Sequence, residues 1–157
     1  MALKSNFNEA QSMRDVEKQA ESLHTKILNS FIRAGEEFVT NARGQGQSHE
    51  MGQYKDVTTN LRNSIAYYIF HNKELVHKNE KGSAVENLQE VSGLVKAKGY
   101  QLIGIAGKNY ASHVESKGYN VISYQADIAV VDLATYLEKL EVISKGSAAQ
   151  MEETFLP

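Results

Sequence analysis

The side chains best suited to catalysis are the histidines, because the chain contains no cysteine. The five are His24, His49, His71, His77 and His113. No two of them show the four-residue spacing, with an adjacent glutamate, by which zinc hydrolases place ligands on one helix face. His113 and Glu115 come nearest to a catalytic pair, but residues two apart point in different directions on a helix. The sequence therefore predicts no catalytic residue, no metal and no cofactor.

Phosphate-binding and nucleophile motifs are also missing from the sequence. There is no Walker loop and no Gly-x-Ser-x-Gly turn. The stretch from Gly104 to Lys108 follows an apolar run, and its backbone amides can hold an anion, although an ordinary strand-to-helix connection has the same composition. Lys96, Lys98 and Lys108 form only a thin basic patch, so no specific nucleic-acid partner is expected.

Composition indicates one folded domain. The chain has 157 residues, of which 41% are hydrophobic and 23% charged, and its net charge is -2. These values are close to the averages of globular proteins, and the small net charge gives no general attraction to nucleic acid or an anionic membrane. No apolar run approaches the length of a membrane span. We expect a protein that is made in the cytoplasm and has no membrane partner.

A long helix is predicted near the N-terminus. Over residues 9–42, apolar residues recur at steps of three and four, which is the spacing of one helix face. They are Val16, Ala20, Leu23, Ile27, Phe31, Ala34, Phe38 and Ala42. Gly35 in this stretch predicts a break or a close packing contact. The Gly-rich, polar residues 43–53 predict a mobile loop.

The remaining elements alternate between strands and helices. The predicted ones are a helical turn at 61–64, strands at 65–70, 100–106 and 119–124, and helices at 83–98, 110–117 and 126–143. The segment 73–82 is polar and is predicted to connect elements. The expected fold is α+β: a small, mostly antiparallel sheet of three to four strands packed against the long N-terminal helix and two to three further helices. Residues 1–145 would form this domain, and 146–157 a flexible C-terminal tail.

Two segments resemble motifs of a family of phage tail components. Residues 54–65 resemble its Thr-Gly-x-Leu-Arg-x-Ser-Ile box, with Thr59 where the family usually has Gly. Residues 109–119 look like its Tyr-Ala-x-x-Val-Glu-x-Gly box, with one extra residue before the Gly. Both occur in the family's order, and the resemblance covers roughly residues 16–140. The positions that match, as family-motif and interface positions, are Thr59, Leu61, Arg62, Ser64, Tyr110, Ala111, Val114 and Glu115.

This resemblance implies a structural virion protein without catalysis or cofactor. Members of the family are head-to-tail joining, neck or tail-completion proteins of long-tailed bacteriophages, commonly arranged as a ring, often sixfold, on the tail axis. The expected partners are copies of the chain itself and other neck, connector or tail-tube proteins, and the expected location is the virion. A minor tail protein at another tail position is an alternative. From a different class, a small hydrolase or nuclease using His113, Glu115 and the turn from Gly104 to Lys108 is kept as a further alternative. A cellular adaptor unrelated to phage is a third possibility.

Individual residues also acquire expected roles. Leu61 and Ile65 would pin the capped turn to the core. Arg62 would pair with Glu115, or else face solvent as an ordinary helix residue. The loop at 43–53 would order on assembly, and the apolar residues near the C-terminus, Phe155 and Leu156, would anchor on a neighbouring molecule.

Overall fold

The long N-terminal helix, α1, runs without interruption from Glu9 to Gln45 in a computed structural model that describes residues 8–45, 60–81, 91–107 and 122–153. Asn8 caps it, since its side-chain Oδ1 accepts a hydrogen bond from the Gln11 backbone N–H at 3.3 Å. Acidic Glu9 lies in the first turn and basic Arg43 in the last, where each charge complements the helix dipole. The spacing of apolar residues thus predicted this helix correctly.

Three antiparallel strands form the sheet. A short helix, α2 (Asn60–Ser64), leads directly into β1 (Ile65–His71), which is followed by β2 (Glu74–Asn79) and β3 (Tyr100–Ala106). The spatial order is β2-β1-β3, and both pairings are antiparallel. Because β1 is central and covered on both faces, its residues are buried from the first to the sixth, which suits its run of aromatic and β-branched side chains.

A tight turn connects β1 to β2. Asn72 and Lys73 both have positive φ angles, 51° and 74°, the combination of a two-residue type I′ hairpin. Asn72 also binds the residue before β3: its backbone N–H donates to the Gly99 carbonyl at 3.1 Å, and its Oδ1 accepts from the Gly99 N–H at 2.9 Å. The turn therefore fixes the start of β3 as well as the hairpin.

The core lies on both sides of β1. On one face, α1 and a C-terminal helix, α3 (Ser123–Glu153), cover the sheet. The buried residues on this face are Phe31, Phe38, Val39, Ala42, Leu61, Ile65, Tyr67, Ile69 and Ala129. The opposite face buries Ala66, Tyr68, Phe70 and Val91, with Val95, Ile103 and Ile105 packed against them. Alternate residues of one strand thus supply two cores.

Two glycines allow elements to approach closely. A Cβ atom on Gly35 of α1 would lie 2.6 Å from the ring of Tyr67 on β1. A Cβ on Gly104 of β3 would lie 2.7 Å from the ring of Phe38 on α1. Of the two outcomes predicted for Gly35, the close packing contact is correct and the helix break is not.

The α+β class and two of the predicted strands are confirmed, while other boundaries were wrong. The polar segment 73–82 contains β2, an edge strand whose side chains are mostly exposed and so carry little hydrophobic pattern. Residues 122–124, predicted to end a third strand, form a bend and the start of α3. The rest of that predicted strand and the predicted helix at 110–117 lie outside the described residues.

Helix ends also differ from the sequence prediction. α1 extends to Gln45, into the predicted loop at 43–53, and the rest of that loop lies outside the described residues. The helix predicted at 83–98 ends at Ser92, and a turn follows at residues 93–94. α3 starts at Ser123 and continues to Glu153, through Gly146 and most of the segment predicted as a tail. Glycine lowers helix propensity by only about 1 kcal/mol, which the flanking residues can offset.

Replacing Gly35 by alanine tests the contact with Tyr67. We expect Gly35→Ala to lower the free energy of unfolding by about 1–3 kcal/mol, because the new methyl group overpacks against a buried ring. Gly44→Ala is the matched control in the same helix, with nothing within 4 Å of the added Cβ. It should raise stability by up to about 1 kcal/mol. Urea unfolding of both variants measures the difference, and equal effects would contradict the packing argument.

The hairpin turn provides a second test. Lys73→Gly should stabilise the protein by about 0.5–1 kcal/mol, because glycine adopts a positive φ without the steric cost that a lysine meets. Asn72→Gly is the control, since it removes the hydrogen bond from Gly99 and should give no gain. Thermal unfolding compares the two; a gain in Asn72→Gly matching that of Lys73→Gly would contradict the role of the Asn72 side chain.

Candidate docking surface

The Leu-Arg-x-Ser-Ile segment joins α2 to the central strand. Leu61 and Ile65 are buried in the core, as predicted. The Ser64 hydroxyl donates to the Leu61 carbonyl at 2.7 Å, and the Ser64 carbonyl accepts from the Gly107 N–H at 3.0 Å. Arg62 is half-buried. These contacts hold the turn against both the core and the end of β3.

The other predicted positions lie outside the described residues. They are Thr59, Tyr110, Ala111, Val114 and Glu115, together with His113 of the alternative enzyme site. Pairing of Arg62 with Glu115 therefore stays a prediction.

Glu36 on α1 is the acceptor that ties the helix to two strands. Its carboxylate accepts from the Tyr67 hydroxyl at 2.8 Å and from the Asn79 amide at 2.9 Å to each oxygen. Partial burial opposes ionisation of Glu36, but hydrogen bonds from Asn79 and Tyr67, with His77 and Arg43 nearby, outweigh it and lower its pKa. The His77 ring stacks on Tyr67 with centroids 5.8 Å apart. Sequence reasoning missed this cluster, because Asn79 was expected in a connecting segment.

Glu37, the next residue of α1, links the helix to α3. It accepts from the Tyr136 hydroxyl at 2.6 Å and from the Arg33 Nε at 3.1 Å. The Arg33 guanidinium lies 4.3 Å from the centre of the Tyr136 ring, a cation–π distance. The hydrogen bond from Tyr136 lowers the pKa of Glu37 and outweighs the opposing effect of burial. The adjacent residues Glu36 and Glu37 thus bind α1 to the sheet and to α3, respectively.

A third carboxylate lies on the other face of the sheet. Glu80 accepts from the Tyr68 hydroxyl at 2.7 Å and forms an ion pair with Lys78. The hydrogen bond from Lys78, supported by that from Tyr68, lowers the pKa of Glu80. Burial, with the hydrogen bond to Glu80, raises the pKa of Tyr68, which therefore stays protonated as the donor.

Aromatic rings gather at the hairpin end of the sheet. The rings of His71 and Tyr100 stack with centroids 4.3 Å apart, and the His24 ring meets His71 edge-on at 5.1 Å. A hydrogen bond of 3.0 Å joins His24 Nδ1 to the Tyr100 hydroxyl. Two of the five histidines therefore serve packing between α1 and the sheet.

A partly open cleft of about 330 Å³ lies between α1, β3 and α3. Its lining is mostly apolar: Phe31, Phe38, Tyr100, Gln101, Leu102, Gly104, Ala126, Ala129, Val130 and Leu133. None of the three carboxylates described above lines it. An apolar recess of this kind can receive an apolar side chain or ligand.

The outer half of α1 exposes a continuous apolar stripe. Met13, Val16 and Leu23 are 60%, 65% and 48% exposed, and Ala20 between them is also exposed. One turn further on, Ile27 is packed against the core. The apolar face of α1 is therefore packed on the core from Ile27 onward, whereas its part at residues 13–23 is exposed and no described residue covers it. Contiguous exposed apolar surface is a mark of protein–protein contact.

Comparison of the chain with protein-family models, with curated proteins and with solved structures finds no match. Among the described residues, no group of three or more His, Asp or Glu side chains is arranged to hold a metal ion. Within those same ranges, no helix combines the length and the apolar content needed to cross a membrane.

The Glu36 cluster predicts how stability depends on pH. The folded-state pKa of Glu36 is below its ordinary value of 4.5, so its contribution is fully present above pH 4.5 and is lost as pH falls through the folded-state pKa. We expect Glu36→Gln to cost about 1 kcal/mol at pH 7, where it replaces a charged acceptor, and to lose less stability than wild type on acidification. Urea unfolding between pH 7 and pH 3 measures both. An acid loss in Glu36→Gln equal to that of wild type would contradict this assignment.

Proposed function

We propose that this chain is a structural subunit of a tailed phage or prophage virion, a tail-completion or head-to-tail joining protein that acts by docking. Its partners are copies of itself, arranged as a ring, and neighbouring neck, connector or tail-tube proteins. The observation that carries the proposal is the apolar stripe on the outer half of α1, which no described residue covers. The two sequence segments that resemble the phage family supply the class of assembly.

The stripe has the properties of an unpaired helix interface. Its apolar residues follow the spacing of 3, 4 and 3 that places them on one face, and polar residues such as Lys18 occupy the opposite face. Tertiary packing of an apolar face supplies most of the stability of a helix in a protein, so a partner that covers the stripe would stabilise the outer half of α1. Burial contributes about 25 cal/mol per Å² of apolar surface removed from water.

The position of the first motif in the fold is consistent with a structural role. The motif joins α2 to the core through buried Leu61, Ser64 and Ile65, as expected of residues that stabilise a fold. A structural subunit needs such a scaffold and an exposed face for its neighbours. The chain offers the face on α1, at the end of the helix remote from the Glu36 contacts.

Genetic complementation tests the proposal. In the phage or prophage genome that encodes the chain, deletion of its gene should yield heads and tails that fail to join or tails that are incomplete. Electron microscopy of the particles and a plaque count measure the loss, which wild-type protein should restore. Normal infectious particles in the deletion strain would refute the function.

The stripe itself is tested in the same strain. Val16→Glu combined with Leu23→Glu should reduce complementation at least about tenfold, because charges on an interface helix oppose burial. Both sites are exposed in the free subunit, so the variant should fold, as circular dichroism can verify. Lys18→Glu, on the opposite helix face, is the control and should complement normally. Equal complementation by the wild type, the double variant and Lys18→Glu would show that the stripe is not part of the interface.

A further inference from the structure

We propose that the cleft between α1, β3 and α3 receives the C-terminal Phe155-Leu156-Pro157 segment of a second copy of the chain. The inference rests on the proposed assembly of copies and adds the contact by which one copy joins the next. Two observations carry it: the shape and chemistry of the cleft, and the apolar residues that follow α3 in the sequence.

Small residues on both walls create the cleft. On β3, the residues that face the helices alternate along the strand, and Gly104 contributes no side chain at the point where Phe38 packs. On α3, the facing residues Ala126 and Ala129 are short. These short side chains leave space between β3 and α3, and the ring of Phe38 fills part of it over Gly104.

The recess suits an aromatic and an aliphatic side chain. Phe31, Phe38 and Tyr100 line it with rings, and Val130, 68% exposed, lies at its edge. A volume of about 330 Å³ is at the lower end of the roughly 300–1,000 Å³ typical of ligand pockets. Aromatic pairs add about 0.5–1.5 kcal/mol beyond their buried area, which favours a phenylalanine as occupant.

The sequence after α3 supplies such side chains. α3 is described to Glu153, and the sequence continues with Thr154, Phe155, Leu156 and Pro157. Phenylalanine and leucine are adjacent, and Pro157 after them has a fixed φ, which lowers the entropy lost on binding. Phe155 and Leu156 thus form an apolar pair next to the acidic Glu152 and Glu153.

The distance along α3 prevents the C-terminal segment of a chain from reaching the cleft of the same chain. Leu133 is the cleft residue nearest the C-terminus on α3, and Glu153 lies twenty residues further along the helix, or about 30 Å at 1.5 Å per residue. Phe155 follows Glu153 by two residues, which extend at most about 7 Å. The C-terminal segment must therefore find a cleft on another molecule.

A contact of this kind is directional. Each copy gives one C-terminal segment and receives one, so the two surfaces in contact are different parts of the chain. Head-to-tail contacts generate a ring when the rotation between neighbours closes. The proposed contact thus has the symmetry that a ring subunit requires, which two identical stripes meeting face to face would not provide.

Peptide binding to the full-length chain tests the contact. A labelled peptide of residues 146–157 should bind the wild-type protein saturably, as measured by fluorescence anisotropy. The peptide carrying Phe155→Ala and Leu156→Ala should bind at least about tenfold more weakly. A peptide carrying Thr154→Ala is the control and should bind like the wild-type peptide. Equal binding by all three peptides, or by none, would overturn the proposal.

Variants of the cleft locate the binding site. Ala126→Phe, at an exposed position of the cleft wall, should fill the recess and weaken peptide binding at least about tenfold. Val131→Phe adds a similar bulk to an exposed neighbour outside the lining and should bind normally. Val130→Asp, at the exposed edge, gives a second blocked variant if Ala126→Phe does not fold. Unchanged binding in the folded cleft variant would place the peptide elsewhere and refute the inference.

The outcome can be separated from that of the proposed function. If the peptide does not bind but deletion of the gene still prevents heads and tails from joining, only the tail-in-cleft contact is wrong. If the peptide binds and infectious particles form without the gene, the copies associate in this way but the phage function is wrong.

Discussion

The contact of Tyr67 with Gly35 and Glu36 holds the rest of the structure in place. The ring lies against α1 at a point where no side chain intervenes, and its hydroxyl donates to the carboxylate of the next residue along. Asn79 donates to the same carboxylate from the neighbouring strand. One turn of helix is therefore fixed to two strands by packing and charge-assisted hydrogen bonds together, and both are sensitive to small displacements.

From this anchor, α1 organises the elements around it. Glu36 binds β1 and β2, Glu37 binds α3 through Tyr136, and Phe38 packs on Gly104 of β3. Three successive residues of the helix therefore contact four elements. The cleft lies beside these contacts because Phe38 is one of its walls. Its shape therefore depends on the same few residues that fix the helix to the sheet.

Carboxylates in this structure serve as fixed acceptors. Glu36, Glu37 and Glu80 all have pKa values below the ordinary value and accept hydrogen bonds from tyrosines. A general acid that works near neutral pH needs the opposite, a raised pKa. These residues are thus suited to holding elements in register.

What the sequence determined by itself was the set of elements with strong local signals. The apolar spacing of α1 and the β-branched, aromatic run of β1 can be read directly. The first is typical of a helix with one apolar face, and the second of a strand that is buried on both faces. Leu61 and Ile65 were also assigned correctly to the core. Weakly patterned elements could not be read: β2 is an exposed edge strand that pairs because β1 offers its backbone groups.

Only the tertiary structure decided the site. Glu36, Tyr67 and Asn79 are separated by up to 43 residues, and nothing local in the sequence marks them as partners. The cleft likewise brings together residues of α1, β3 and α3 that are remote in sequence. The sequence gives the chemistry of each side chain. The distances between residues that are remote in sequence depend on how helices and strands pack, which is a property of the whole fold.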